Sequence, residues 1–408
     1  MFVSNCSKDG LMTFNILTHF QPIISIKRRA IIGLEALSRG VSNAGSDLIP
    51  PIQLFEFASK NGHQIMLDRL CREKALASFK QTDNKKKLML YLNFDASIID
   101  KGVLGSGHLI NFVNKLNLNP NNIVIEIIES NVNDIEALKK FIKTYKSFGF
   151  LIALDDIGTG HSNLDRISLI EPDILKIDKS LIRDIDIKYH NQEIVNSLVN
   201  LSRKIGALVV AEGIENEKEA IAASELGVDF LQGFYFLEPQ IITDQSLQST
   251  SIKINDVAKH FKVHMLHKFD EKLNKEKKYY NLADSIIKKL AKTEDFDSTL
   301  AEIINLNHFI ECIYVLNERG IQVTRTVCDL KKLSNYKNPL FKPAEKGTDH
   351  SLKEYYLSNR NSQRIYFSEP YISLATGNLC LTISAVFNRH LKDEKYILCL
   401  DINEDYLV

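Results

Sequence analysis

The chain has 408 residues, 44% of them hydrophobic and 25% charged, a balance that suits a packed protein and excludes a disordered or low-complexity one. Lysine plus arginine (51) equal aspartate plus glutamate (51), so composition gives no general attraction to a nucleic-acid polymer or a membrane surface. No stretch approaches the roughly 20 apolar residues of a membrane span, the start lacks a signal-peptide core, and the six cysteines form no close pair. The expectation is a soluble, cytoplasmic protein with reduced thiols.

Up to about residue 240, apolar strand-like runs alternate with amphipathic helical stretches. Strands are predicted at 20–26, 31–37, 88–94, 123–128, 151–155, 174–177, 208–212 and 230–233, with helices such as 134–148, 189–205 and 218–226 between them. Eight strands alternating with helices predict a (β/α)8 TIM-like barrel. Only Lys27-Arg28-Arg29-Ala30 separates the first two strands. That gap is too short for a helical crossover, so the barrel should begin with an antiparallel strand pair.

Residues 251–295 hold 11 lysines against 7 acidic residues and no proline. Val257, Phe261, Met265, Phe269, Leu273, Tyr280, Ile287 and Leu290 recur at mostly helical spacing, which predicts one long connecting helix with a solvated basic face. From about 308 the pattern changes to short strands and Gly-containing turns. Strands at 309–316, 321–327, 364–367, 371–374, 379–386 and 396–402 predict an antiparallel sheet with helices on one side. The expected division is therefore 1–250, 251–295 and 296–408.

Chemistry in a barrel of this class sits at the C-terminal strand ends. There the chain places Glu35, Asn93, Glu126, Asp155, Asp156, Lys176, Asp178, Glu212, Glu215 and Gln232. The most telling run is Leu151-Ile152-Ala153-Leu154-Asp155-Asp156-Ile157-Gly158-Thr159-Gly160, a buried-strand pattern ending in two adjacent carboxylates. So much buried acid needs compensating positive charge, and an all-oxygen donor set points to magnesium or manganese rather than zinc. A two-metal site of this kind is suited to phosphodiester cleavage. Histidines and cysteines show no ligand spacing.

Six ordered motifs then match a family. Phe20-Gln21-Pro22-Ile23, Glu35-Ala36-Leu37-Ser38-Arg39, Asp155-Asp156-Ile157-Gly158-Thr159-Gly160, Leu175-Lys176-Ile177-Asp178, Ala211-Glu212-Gly213-Ile214-Glu215 and Gln232-Gly233-Phe234 resemble the signatures of EAL-domain phosphodiesterases. That family hydrolyses the bacterial second messenger cyclic di-GMP to linear pGpG. The resemblance covers residues 15 to about 240. It implies that Glu35, Asn93, Glu126 and Asp155 hold one Mg2+ or Mn2+ ion, and that Asp155, Asp156 and Glu212 hold a second. Lys176 would orient or deprotonate the attacking water, with Glu35, Asp155 and Glu212 also counted as catalytic. Gln21, Arg39, Asp178, Glu215, Gln232 and Gly233 would contact the dinucleotide, and Glu129 would anchor the loop after Asp156.

One departure stands out: family members that turn over substrate usually carry an aromatic residue where this chain has Ile157. If the missing ring loosens the metal-bearing loop, Ile157→Phe should raise activity. The C-terminal stretches Tyr366-Phe367-Ser368-Glu369-Pro370-Tyr371, Thr376-Gly377 and Leu381-Thr382-Ile383-Ser384 resemble a PAS/Cache-like sensor. The resemblance thus implies a regulated phosphodiesterase, a homodimer, and a small ligand or protein partner at the C-terminal domain. The alternative reading is a cyclic di-GMP receptor that signals by binding without turnover.

Overall fold

The computed structural model describes residues 14–42, 48–82, 88–101, 107–127, 134–159, 164–328, 340–359, 365–389 and 394–403. The chain divides into two compact units, residues 1–266 and 267–408. Glu129, His161 and Cys6 lie outside the described residues.

The first unit is a closed barrel. Its strands are β1 (Phe14–Ser25), β2 (Ala30–Ser42), β3 (Leu48–Ile49), β4 (Met89–Phe94), β5 (Ile123–Ile127), β6 (Leu151–Ile157), β7 (Ile174–Ile177), β8 (Leu208–Ala211) and β9 (Phe230–Leu231). The order β1-β9-β8-β7-β6-β5-β4-β2 closes through a β1–β2 pairing, and β3 extends outside the ring from β2. As the short connection requires, β1 runs antiparallel to both β2 and β9, while β2 and β4 to β9 pair in parallel.

Period-two alternation decides what fills the ring. Ile23, Tyr91, Val124, Ala153, Ile174, Val210 and Phe230 form the inner cluster. The intervening Leu92, Ile125, Ile127, Leu154, Leu175, Ile177 and Val209 face the helices. Glu126 and Lys176 each follow an inward residue by two positions, so their side chains enter the mouth. The surrounding helices begin and end where local chemistry dictates. Asp134 caps Ile135–Ser147 by accepting the Ala137 N–H at 2.9 Å. Gly206, at φ +80°, ends Tyr189–Ile205 in the left-handed turn that glycine adopts most readily.

The long helix runs Asp244–Leu290, starting seven residues before the expected 251 and stopping five before 295. Its start is set by a reciprocal pair: the Thr243 N–H donates to Ser246 Oγ at 3.0 Å and the Ser246 N–H to Thr243 Oγ1 at 3.2 Å. At the far end, Asp295 caps the next helix, Phe296–Leu306. No helix among the described residues is long and apolar enough to cross a membrane.

The second unit is a separate antiparallel sheet. Its strands are β10 (Ile310–Asn317), β11 (Val327–Cys328), β12 (Tyr366–Phe367), β13 (Tyr371–Ile372), β14 (Leu379–Arg389) and β15 (Glu394–Ile402), ordered β11-β10-β15-β14-β12 with β13 on β14. Ile313, Val315, Leu381, Ile383, Leu398 and Leu400 pack one face against Ile286, Leu290, Leu300 and Ile303. Of the expected 321–327 strand, only Val327 is in a strand, beside Cys328; Ile321 and Gln322 make isolated bridges. Two backbone bonds still reach β10, from the Asn317 N–H to Ile321 O and from the Val323 N–H to Val315 O, and side chains interrupt the rest: Thr324 Oγ1 accepts the Val315 N–H, and the Gln322 amide donates to Thr324 O. The expectation of wholly reduced thiols is also corrected. The β10–β11 register sets Cys312 opposite Cys328, and the two form a disulfide. Cys71, Cys380 and Cys399 are free and buried.

Candidate active site

Consecutive residues of a regular strand point to opposite faces, so Asp155 and Asp156 cannot both reach the barrel mouth from one. β6 resolves this with a bulge. Its pairing to β7 shifts register between Leu154 and Ile157, and Asp156 adopts a left-handed φ of +58°. Among non-glycine residues, aspartate and asparagine tolerate that conformation best. The Asp156 N–H turns back onto Asp155 Oδ1 at 3.0 Å. Ligand oxygens of Asp155, Asp156 and Glu212 consequently lie within 4.8 Å of one another, a spacing that can hold a metal ion.

Lys176, 1% exposed, stands at the centre of the acids. Its Nζ lies 2.6 Å from Glu212 Oε1, 2.7 Å from Glu126 Oε1, 3.2 Å from Asp155 Oδ1 and 3.8 Å from Glu35 Oε2. Burial by itself lowers an ammonium pKa, but Asp155, Glu126, Glu212 and Glu35 override it and hold Lys176 well above its usual value. With these four acids as its neighbours, the ammonium places a positive donor at the centre of the site.

A second arm runs through Glu35. Asn93 Nδ2 donates to Glu35 Oε1 at 2.8 Å, and Gln232 Nε2 donates to Glu35 Oε2 at 2.5 Å and to Gln21 Oε1 at 3.0 Å. Gln21 Nε2 in turn donates to the Leu237 carbonyl at 3.1 Å. The Gln21 amide, expected from the resemblance to contact the dinucleotide, is here engaged within the protein, steering Gln232 and Glu35. Gly233 is likewise fixed by packing: a Cβ there would sit 2.1 Å from the Ile214 carbonyl oxygen. Asp178 accepts the Ser180 N–H at 2.8 Å and caps the short helix Lys179–Ile182. Arg39 lies half-buried on the rim, donating to the Ser38 carbonyl at 3.0 Å, and Glu215 is exposed.

The donor set fits divalent cations. Glu126 is 1% exposed, and the ammonium 2.7 Å from its Oε1 is shared with Glu212, Asp155 and Glu35. One ammonium faces the five carboxylates of Glu35, Glu126, Asp155, Asp156 and Glu212. Burial, then the neighbouring Glu35, pushes Glu126 well above the usual carboxylate range. Burial also raises Glu212 to about 8 against the opposing pull of Lys176, and raises Asp156, assisted by Asp155 and Asp178. Acids this strained toward protonation lack positive charge, and hard dications supply it.

Beside Glu35 and Asn93 opens a cavity of about 780 Å3 whose walls include Ser38, Phe55, Asp68 and Arg72. Sequence reasoning missed the buried Asp68–Arg72 ion pair on the helix Gln64–Thr82. The Arg72 guanidinium lies 4.4 Å from the centre of the Phe94 ring, and Asp68 Oδ1 accepts the Asp95 N–H at 3.3 Å. Both contacts pin the strand end that carries Asn93. The i,i+4 spacing of opposite charges was the available signal.

Fold and site together define a TIM-like barrel whose acidic mouth is built for divalent cations. The chain belongs to the EAL domain family, which matches residues 9–239. It is similar to YkuI of Bacillus subtilis (strain 168), an uncharacterized EAL-domain containing protein, with 27% identity over 406 residues, 96% of this chain and 95% of that one. The crystal structure of YkuI with cyclic di-GMP and calcium covers 96% of this chain and 97% of its own, at a TM-score of 0.78 and 25% identity. Over the barrel alone the chain is similar to the cyclic di-GMP phosphodiesterase PdeA of Borreliella burgdorferi, with 28% identity over 228 residues, 55% of this chain and 33% of that protein. BlrP1 of Klebsiella pneumoniae, solved with manganese and cyclic di-GMP, matches at a TM-score of 0.50 and 28% identity, over 55% of this chain and 56% of that one. The chain spans less than two thirds of these last two relatives.

Proposed function

We propose that the protein is a metal-dependent phosphodiesterase that hydrolyses cyclic di-GMP to linear pGpG. The observation that carries this reading is the site itself: Asp155, Asp156 and Glu212 gathered within 4.8 Å, with Lys176 between Glu126 and Glu212. Glu35, Asn93, Glu126 and Asp155 would hold one Mg2+ or Mn2+ ion, and Asp155, Asp156 and Glu212 a second. When bound, such ions neutralise phosphate charge and make water a competent nucleophile at neutral pH. The chain's own residues do the rest. Lys176, fixed by its carboxylates, presents a positive donor to a water or phosphate oxygen. Arg39 offers a guanidinium at the rim to the second phosphate. Gln21 and Gln232 hold Glu35 in one orientation.

The family and the similarity to a cyclic di-GMP complex over the whole chain support this substrate. We also propose that the C-terminal unit is a PAS/Cache-like sensor tuning turnover, with the 251–295 segment as its connection, and that the protein acts as a cytoplasmic homodimer. The test is incubation of the purified chain with cyclic di-GMP and Mg2+ or Mn2+, resolving products by chromatography. Appearance of pGpG, inhibited by Ca2+ with its larger and looser coordination, is the expected result. Tight binding with no product overturns the enzyme reading and leaves a receptor.

A further inference from the structure

Glu219 is 1% exposed and belongs to no part of the chemistry described so far. It occupies the third position of the helix Glu217–Glu225, whose cap Asn216 accepts the Glu219 N–H at 3.0 Å. In an ordinary capping box the third-position carboxylate returns to the cap residue's own N–H. Here it does something else. Glu219 Oε2 accepts the N–H of Glu215 at 2.8 Å, one residue earlier than the cap. Its Oε1 accepts the N–H of Asp184 at 3.0 Å, across 35 residues of sequence.

Those two amides belong to the two segments that follow neighbouring strands. Asp184 lies beyond β7, which carries Lys176 and leads into Asp178. Glu215 lies beyond β8, in the segment that carries Glu212. The segments are close-packed as well: a Cβ on Gly213, at φ +70°, would lie 2.3 Å from Lys179 Cβ. The Glu212 N–H donates to the Ile177 carbonyl at 3.0 Å, fixing the near ends together. Asp184 holds a left-handed φ of +58° at this junction. A single buried carboxylate thus closes the far ends of both segments, its charge met by two amide donors and the positive end of its own helix.

We propose that Glu219 is a positioning residue for the metal centre: it ties the β7 and β8 segments into one rigid wall and so sets Glu212 against Asp155 and Asp156. The proposal rests on the reading of Glu212 as a metal ligand. Removing the tether leaves the ligands in place but frees the wall that aims one of them. Groups that orient metal ligands from behind typically contribute 10–100-fold in affinity.

The test uses the full chain and two readouts independent of turnover, Mn2+ affinity by calorimetry and amide hydrogen exchange. Glu219→Ala should weaken Mn2+ binding about tenfold and accelerate exchange at both the Asp184 and Glu215 segments. Glu219→Gln keeps one acceptor oxygen, so it should lose one amide only and weaken binding less than the alanine variant. If Glu219→Ala fails to fold, the glutamine variant carries both measurements by itself. A carboxylate acting solely as a helix stabiliser would lower Tm while leaving Mn2+ affinity and the Asp184 amide unmoved, and that result overturns the proposal. So does a parent protein that binds no Mn2+. A parent that binds Mn2+ but hydrolyses no cyclic di-GMP removes the phosphodiesterase reading alone.

Discussion

Glu126 enters the barrel from β5 buried, its Oε1 2.7 Å from a Lys176 ammonium that also serves Glu35, Asp155 and Glu212. One ammonium cannot neutralise four buried acids, so folding gains little from the charge on Glu126, whereas a metal site needs it. Glu126→Gln should therefore raise the Tm of the metal-free protein by about 2–4 °C while abolishing the extra Tm that Mn2+ confers on the parent. A fall in Tm, or an undiminished response to Mn2+, counts against the site. Lys176→Ala should do the reverse. It strands four carboxylates without their shared ammonium, a change of the kind that costs about 3–5 kcal/mol. Mn2+ should then recover more stability in the variant than in the parent; equal recovery would mean the acids do not share the ion. The acids themselves were legible in the sequence, because each ends an apolar run where a packed barrel has no use for charge. The amide chain from Leu237 through Gln21 and Gln232 to Glu35 was not. It joins residues 211 and 197 positions apart, and no local pattern encodes such a meeting.

The bulge in β6 shows how one element can alter the meaning of a residue. The sequence makes Ile157 a missing aromatic in a loop. The structure places it at the end of β6, 7% exposed, paired with Ile177 and packed in the core between sheet and helices. Next to it, a Cβ on Gly158 would meet Leu181 Cδ1 at 2.5 Å, so there is little slack. Ile157→Phe should accordingly overpack this corner and lower stability by about 1–3 kcal/mol, with no gain in hydrolysis, contrary to the expectation from the family pattern. Thermal denaturation beside a turnover assay decides it; a more active variant of unchanged Tm would restore the loop argument. The same element explains what sequence pattern could and could not give. Strands buried on both faces, such as β7, read directly as short apolar runs. β1 extends back to Phe14 through Asn15, Thr18 and His19, polar residues that hide its alternation, and the bulge itself leaves no periodic trace.

The two units have separate cores, so each can report its own chemistry in one calorimetric experiment. Mn2+ should move only the transition of the barrel. In the second unit the acid to watch is Asp401, 3% exposed, which accepts Thr382 Oγ1 at 2.7 Å. Burial pushes its carboxyl up from 3.8 to about 7, with Glu311 adding to the rise and the Thr382 and Tyr371 hydroxyls opposing it. Below about pH 4 the folded and unfolded chains are equally protonated at this group. Between about pH 4 and 7 the unfolded chain ionises while the folded one keeps its proton, so stability falls across that window and stays low above it. A rise of that size is worth about 4 kcal/mol at most. The transition that ignores Mn2+ should therefore shift downward as pH rises from 4 to 7. Asp401→Asn, which keeps the volume and an acceptor for Thr382 without the proton equilibrium, should flatten that dependence and raise Tm at pH 8. A pH profile unchanged by the substitution would place the titrating group elsewhere in the chain.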